Sequence, residues 1–170
     1  VDVLERVGQL RSIIDSLLML SRSDAGGLII EKQRLDLCDL MSEIVEDAEV
    51  IASEEGISFH ADNGSSGFMV DGDERLLRLA ISNLLTNATK YNISEGGKIF
   101  SELKRSGSTY QISISNTGPA IPYEIEEKIF ERFYRVDTAR GPSKSGFGLG
   151  LSLARVIAVA HGGKLSLESS

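Results

Sequence analysis

Asn83, Asn87 and Lys90 are spaced four and three residues apart, so a helix through them sets two amides and an ammonium along one face. An amide oxygen is a hard ligand suited to Mg²⁺. An ammonium meets phosphate as a point charge. Asparagine has only modest helix propensity, so two of them beside a lysine invite a reason. The same spacing also describes the exposed polar face of an ordinary amphipathic helix. A second stretch, Ser145-Gly146-Phe147-Gly148-Leu149-Gly150-Leu151, places glycines at alternate positions and runs into the apolar pattern Ser152–Ala158. Glycines allow close approach of backbone to a ligand, and a helix N-terminus suits an anion. Taken alone, the stretch is equally a loop with a flexible hinge. A third, Asn116-Thr117-Gly118-Pro119, follows the alternating run Ile112–Ser115. Its turn can bring backbone against a flat ligand, and the Asn116 amide offers the donor and acceptor needed to read a base edge. It also reads as an Asx-capped turn between strand and loop.

The bulk numbers bound what such groups can do. A chain of 170 residues fits one domain, or one domain with an appendage. With 41% apolar and 25% charged residues it has the balance of a globular protein. The net charge of -7 and the lack of a basic patch argue against a nucleic-acid partner, though not against a nucleotide. Cys38 is the single cysteine, which excludes an internal disulfide framework and a cysteine-based zinc site. No apolar run approaches the roughly 20 residues that span a bilayer, so direct membrane contact by this piece is not expected.

Elements must then position the three stretches. Residues 2–24 read as a long helix with an apolar seam at Val3, Val7, Leu10, Ile14 and Leu17, the heptad spacing of a bundle or a dimer. Leu28–Glu31 reads as a short extended segment. Asp36 can cap a second helix to about Glu55. Strands are predicted over Ile57–Ala61 and Phe68–Val70 with the turn at 64–67 between them. A third helix runs from Asp73 to about Tyr91, with Leu76, Leu77, Leu79, Ala80, Leu84 and Ala88 as its core stripe. A hairpin follows, Lys98–Lys104 with Tyr110–Ser115, then a short helix Glu124–Phe130. A mobile loop from Arg132 to Gly148, loosest at 143–145, precedes a helix Leu149–His161 and a strand Lys164–Glu168. Helices grouped against antiparallel strands give a two-layer α+β sandwich.

These pieces resemble, in order, the four sequence boxes of sensor histidine kinases. The runs are Asn83-Leu-Leu-Thr-Asn87-Ala-Thr-Lys90-Tyr91-Asn92, Asn116-Thr-Gly118-Pro-Ala-Ile121-Pro, Ile129-Phe130-Glu-Arg132-Phe133-Tyr134-Arg135, and Gly146-Phe-Gly148-Leu149-Gly150-Leu151. The resemblance covers nearly the whole chain. It implies that residues 1–31, ending Ser21-Arg22-Ser23-Asp24-Ala25-Gly26, are the second helix and linker of a dimerisation and phosphotransfer domain. Residues 32–170 would be the catalytic ATP-binding domain, a Bergerat-type (GHKL) sandwich of helices on a mixed, mostly antiparallel sheet, cut short at its C-terminus. The phrase Arg132-Phe-Tyr-Arg135-Val-Asp is similar to the metal-sensing branch of the family.

The resemblance also implies roles. Asn87, with Asn83 beside it, would coordinate Mg²⁺, and Lys90 would meet phosphate. Tyr91 would pack on the adenine of ATP, with Asn116 at its amino group and Gly118 and Ile121 shaping that pocket. Phe130 and Phe133 would anchor the hinge of a lid, and Arg135 or Arg140 would reach the phosphates. Gly146, Gly148, Leu149 and Gly150 would let the lid and helix N-terminus close over them. Asn83 and Lys90 would carry the catalysis, which in phosphoryl transfer is positioning and charge neutralisation. The implied partners are nucleotide, a response regulator and a second copy in the full-length protein. That protein would sit in the inner or plasma membrane with this domain in the cytoplasm. The chain departs from the family pattern in three ways. Asn116 stands where an Asp is usual, and Ala120 where a second Gly is. The phosphoacceptor histidine is missing: His60 reads as a structural or surface residue and His161 as a cation at a helix C-terminus. The chain also ends where a further hairpin strand would follow, which leaves a sheet edge unpaired. The alternatives are a nucleotide-binding or dimerisation module without kinase activity, and an ATPase of the same superfold.

Overall fold

The computed structural model describes residues 3–64, 66–93, 95–136 and 146–169. The order is α1 (Val3–Asp24), β1 (Gln33–Asp36), α2 (Leu37–Glu54), β2 (Ser58–Asp62), β3 (Met69–Gly72), α3 (Glu74–Lys90), β4 (Lys98–Ser106), β5 (Thr109–Asn116) and α4 (Gly150–Ala160). Between β5 and α4 lie two 3-10 turns, Tyr123–Ile125 and Lys128–Phe130, in place of the single short helix expected there.

Strand pairing differs from the expectation. The β2 and β3 strands do not form a hairpin. β2 pairs in parallel with β4, Ser58 opposite Lys98, and β4 pairs with β5 as an antiparallel hairpin. β3 instead pairs antiparallel with β1, Met69 opposite Asp36. The reason is Asp36. Its carboxylate caps α2 through the Cys38 N–H at 3.0 Å and also accepts from Gly67 at 2.6 Å and Phe68 at 3.1 Å. That carboxylate draws the start of β3 to β1 and away from β2. The expected extended segment Leu28–Glu31 is not a strand. Lys164–Glu168 is not one either; Ser169 Oγ there accepts from the Ile121 N–H at 2.8 Å.

α3 lies between two cores. On one side Ile81, Leu85 and Ala88 join Leu40, Met41, Ile44, Val45 and Ala48 of α2 and Ile99 and Leu103 of β4. On the other, Leu76 and Ala80 pack on Leu149, Leu153, Ala154 and Ile157 of α4, with Leu20 of α1. The expected single stripe therefore splits, with Leu77 on the first core and Leu79 and Leu84 on the second, and it omits Ile81 and Leu85. α1 meets the domain only near its end. Leu20 is fully buried, while Val3, Val7, Leu10 and Ile14 of the seam stay more than half exposed. No helix among the described residues is long and apolar enough to cross a membrane.

Leu76→Ala is expected to cost about 2–5 kcal/mol in denaturant unfolding, since it opens a cavity between α3 and α4. The Asp36 carboxyl is held below the usual carboxylate range, first by the Gly67 N–H and then by Cys38, against the opposing effect of desolvation. A lowered folded value means that its contribution is complete above about pH 4 and fades as pH falls through that folded value. Thermal melts should show Asp36→Asn less stable at neutral pH, with a shallower loss on acidification than the parent chain.

Candidate functional site

The chemistry-bearing residues meet along the polar stripe of α3. Asn83 lies at its middle, against the first residue of α4: a Cβ at Gly150 would sit 3.2 Å from Asn83 Oδ1. The other amide atom, Asn83 Nδ2, is buried and has no hydrogen-bond partner in the protein. A buried donor left unpaired costs roughly 1–3 kcal/mol. Beside it α4 begins after Leu149 without a side-chain cap, which leaves first-turn N–H groups without an intrahelical partner. One turn along α3 from Asn87, Lys90 Nζ stands 4.8 Å above the Tyr91 ring and against Gly146, where a Cβ would approach it to 2.7 Å.

A polar knot beyond the helix aligns the third stretch. Asn92, buried, donates from Nδ2 to the Lys98 carbonyl at 3.0 Å, and its Oδ1 accepts from Thr117 Oγ1 at 2.7 Å. Thr117 Oγ1 in turn accepts from the Lys98 N–H at 2.7 Å. This stacks Gly118 on the end of α3, where a Cβ would lie 2.5 Å from the Tyr91 carbonyl oxygen, so only glycine fits. The same carbonyl accepts from Asn116 Nδ2 at 3.4 Å. The contact fixes the amide and leaves Asn116 Oδ1 as the acceptor to offer outward.

Gly150, Asn83, Lys90, Gly146, Tyr91, Gly118 and Asn116 are thus linked in one file, with Asn87 on the same helix face. Other expected residues stand elsewhere. Leu149 is buried in the second core, Ile121 is half-buried and tied to Ser169, and Arg135 is exposed beyond the second 3-10 turn. Phe130 is buried, with the Arg155 guanidinium 5.1 Å from its ring. Phe133 does not anchor by packing, being 58% exposed; its N–H bonds to the Gly148 carbonyl at 2.9 Å instead. Arg140 and the stretch 143–145 lie outside the described residues. His161 is not a helix-end cation: its Nε2 accepts from the Asp73 N–H at 3.0 Å, and Nδ1–H donates to Ile157 at 2.8 Å. His60 stacks on Phe100 at 5.1 Å. Local spacing gave no sign of Asn92 and Thr117, whose roles exist only once β5 returns to α3. Among the described residues no group of three or more His, Cys, Asp and Glu could hold a metal. A groove of about 980 Å³ between α1, Arg75 and Leu79 lies away from this file.

Residues 72–170 match the family model described as histidine kinase-, DNA gyrase B-, and HSP90-like ATPase. The chain belongs to that family. Within it, relatives include sensor proteins and sensor histidine kinases. The probable sensor protein PcoS of Escherichia coli is 37% identical over 97% of this chain and 34% of its own length. Sensor histidine kinase CusS of Escherichia coli K12 is 32% identical over 98% of this chain and 34% of its own length. The solved structure of histidine kinase ThkA in complex with response regulator protein TrrA aligns with a TM-score of 0.76 at 25% identity, over 98% of this chain and 45% of that one. The chain spans about a third of the length of the two sensor proteins. The α+β sandwich and the sensor-kinase assignment expected from the sequence agree with these matches.

Asn83→Leu replaces the unpaired amide with an apolar group of similar size. It is expected to stabilise the chain by about 1 kcal/mol while abolishing any anion or nucleotide binding at the stripe. Chemical denaturation and calorimetry on the same sample check both halves.

Proposed function

We propose that this chain is the catalytic part of a sensor histidine kinase: it binds Mg²⁺·ATP and passes the γ-phosphoryl group to a histidine on a separate helix, for relay to a response regulator. The observation that carries the proposal is the buried, unpartnered Asn83 Nδ2 on the same helix as Lys90 and beside the uncapped N-terminus of α4. An unpaired donor beside a helix N-terminus is what a phosphate oxygen satisfies. As oriented, Asn83 donates, so it serves a phosphate oxygen and leaves the amide oxygen of Asn87 for the cation. Magnesium, when bound, would neutralise phosphate charge as the bond to the leaving ADP breaks. Lys90 adds a fixed positive charge, and the first turn of α4 adds N–H donors. No side chain of the site need act as a nucleophile, because the acceptor is the incoming histidine. Neither His60, stacked on β4, nor His161, bonded at both ring nitrogens, is placed for that part.

At the other end, Tyr91 and Gly118 would flank the base and Asn116 Oδ1 would accept from its amino group. A neutral amide pinned by the Tyr91 carbonyl then does what a carboxylate does in the family pattern. We read residues 1–31 as the second helix and linker of a dimerisation and phosphotransfer domain, and residues 32–170 as the ATP-binding domain. The exposed seam Val3, Val7, Leu10 and Ile14 supports a homodimer through α1. The phrase Arg132-Phe-Tyr-Arg135-Val-Asp supports a metal-sensing protein anchored in the membrane, with this domain in the cytoplasm.

Two measurements test this. Mixing the chain with γ-labelled ATP and a polypeptide bearing an acceptor-histidine helix should give an acid-labile phosphohistidine; nucleotide binding without transfer would indicate a binding-only module. ATP should bind about tenfold or more tightly than ITP, whose base carries an acceptor at the 6-position, and Asn116→Ala should bring that ratio close to one.

A further inference from the structure

Arg132 grips the end of α1 from across the chain. Its Nη1 donates to Asp24 Oδ2 at 2.8 Å and its Nη2 to Oδ1 at 2.6 Å, while Nη2 also reaches the Leu20 carbonyl at 3.4 Å. Asp24 is the last residue of α1, and Leu20 one turn earlier is fully buried against α4. The chain then leaves through Gly26, at φ 67, in a turn closed by the Gly27 N–H to Arg22. The ion pair is partly exposed, with side chains 37% and 59% accessible, so it adds little to stability. What a two-pronged guanidinium contact adds is direction, because it fixes the plane of the fork.

That direction matters because of the next residue. Phe133 is the only non-glycine among the described residues with positive φ, at 63°. Such a conformation is strained for an aromatic residue and persists only when its surroundings hold it. Three contacts hold it. Arg132 is tied to Asp24 immediately before it. Its own N–H bonds to Gly148. And Gly148, at φ 70, presses so close that a Cβ there would lie 2.8 Å from the Tyr134 carbonyl oxygen. Gly148 stands midway between Gly150, against Asn83, and Gly146, against Lys90. The route from the end of α1 to the phosphate-facing donors therefore passes through one strained residue.

We propose that Asp24 is a positioning residue for nucleotide binding: through Arg132 it holds Phe133 against Gly148, so that the placement of α1 sets how tightly the Asn83–Lys90 face holds nucleotide. This rests on the nucleotide reading above. Asp24 acts only through Arg132.

The test is calorimetric binding of Mg²⁺ with a non-hydrolysable ATP analogue to the 170-residue chain, its Asp24→Asn, Arg132→Gln and Arg132→Lys variants, and the double variant. Each single substitution is expected to weaken binding by about fivefold or more, the lower range of measured couplings between sites. Arg132→Lys should fail to rescue, because an ammonium has no fork, and the double variant should be no worse than either single. Hydrogen exchange gives a second readout. Linkage is reciprocal, so nucleotide should slow exchange in the last turn of α1 in the parent chain and not in Asp24→Asn. Affinities within twofold of the parent, or tighter, would overturn the proposal even if thermal midpoints fall. Absence of nucleotide binding in the parent itself would overturn the nucleotide reading, and this inference with it.

Discussion

Everything at the site depends on α3 being packed on both flanks. Ile81 and Leu85 bury against α2 and the three-stranded sheet, and Leu76 and Ala80 bury against α4. A helix clamped on two sides has only a narrow stripe left for polar groups. In that stripe Asn83 cannot swing out to water, because α4 begins against it. An amide that would be inert on an ordinary surface becomes a desolvated donor without a partner. Burial of apolar neighbours thus creates the functional strain, and the chain bears an unpaired group that an apolar residue would relieve.

Both ends of α3 are tied by side chains that return from distant sequence. At the N-terminal end Asp73 caps the helix through Leu76 at 3.0 Å, accepts from the Glu31 N–H at 3.1 Å, and donates its own N–H to His161 at the end of α4. One residue therefore joins the linker after α1, the central helix and the last helix. At the C-terminal end Asn92, Thr117 and Lys98 close a knot that fixes Tyr91 beside Gly118 and Asn116. Between these anchors the stripe is held at a set angle to α4. The Phe133–Gly148 contact makes the one backbone junction at that seam that is strained rather than relaxed.

The sequence shows much of this, and its gaps have physical causes. Asn83, Asn87 and Lys90 are legible because helical spacing is a local property, and α3 and α4 have clear apolar periods. Glycines at 118 and 148 are legible as turns, though not the reason for them, which is a carbonyl or a backbone that comes from elsewhere. Pairing is not legible. Nothing near Phe59 says that it lies beside Ile99 in parallel, and β1 is four residues long with one buried side chain. Asp36 reads correctly as a cap, but its second use, gathering Gly67 and Phe68, is what separates β2 from β3. His161 misleads for a similar reason. Its position at a helix end suggests a cation, and only the returning Asp73 amide shows that it accepts.

Nucleotide binding at this site turns on Asn83 Nδ2 finding its missing partner in a phosphate. The direct measurement is the Asn83 side-chain amide resonance, followed by NMR as Mg²⁺ and a non-hydrolysable ATP analogue are added, and completed by a structure of the complex. The expected result is a large shift at Asn83, slowed exchange of its amide protons, and a phosphate oxygen within hydrogen-bond distance of Nδ2. Saturation of the chain with nucleotide while the Asn83 amide stays unshifted and unpartnered would contradict it.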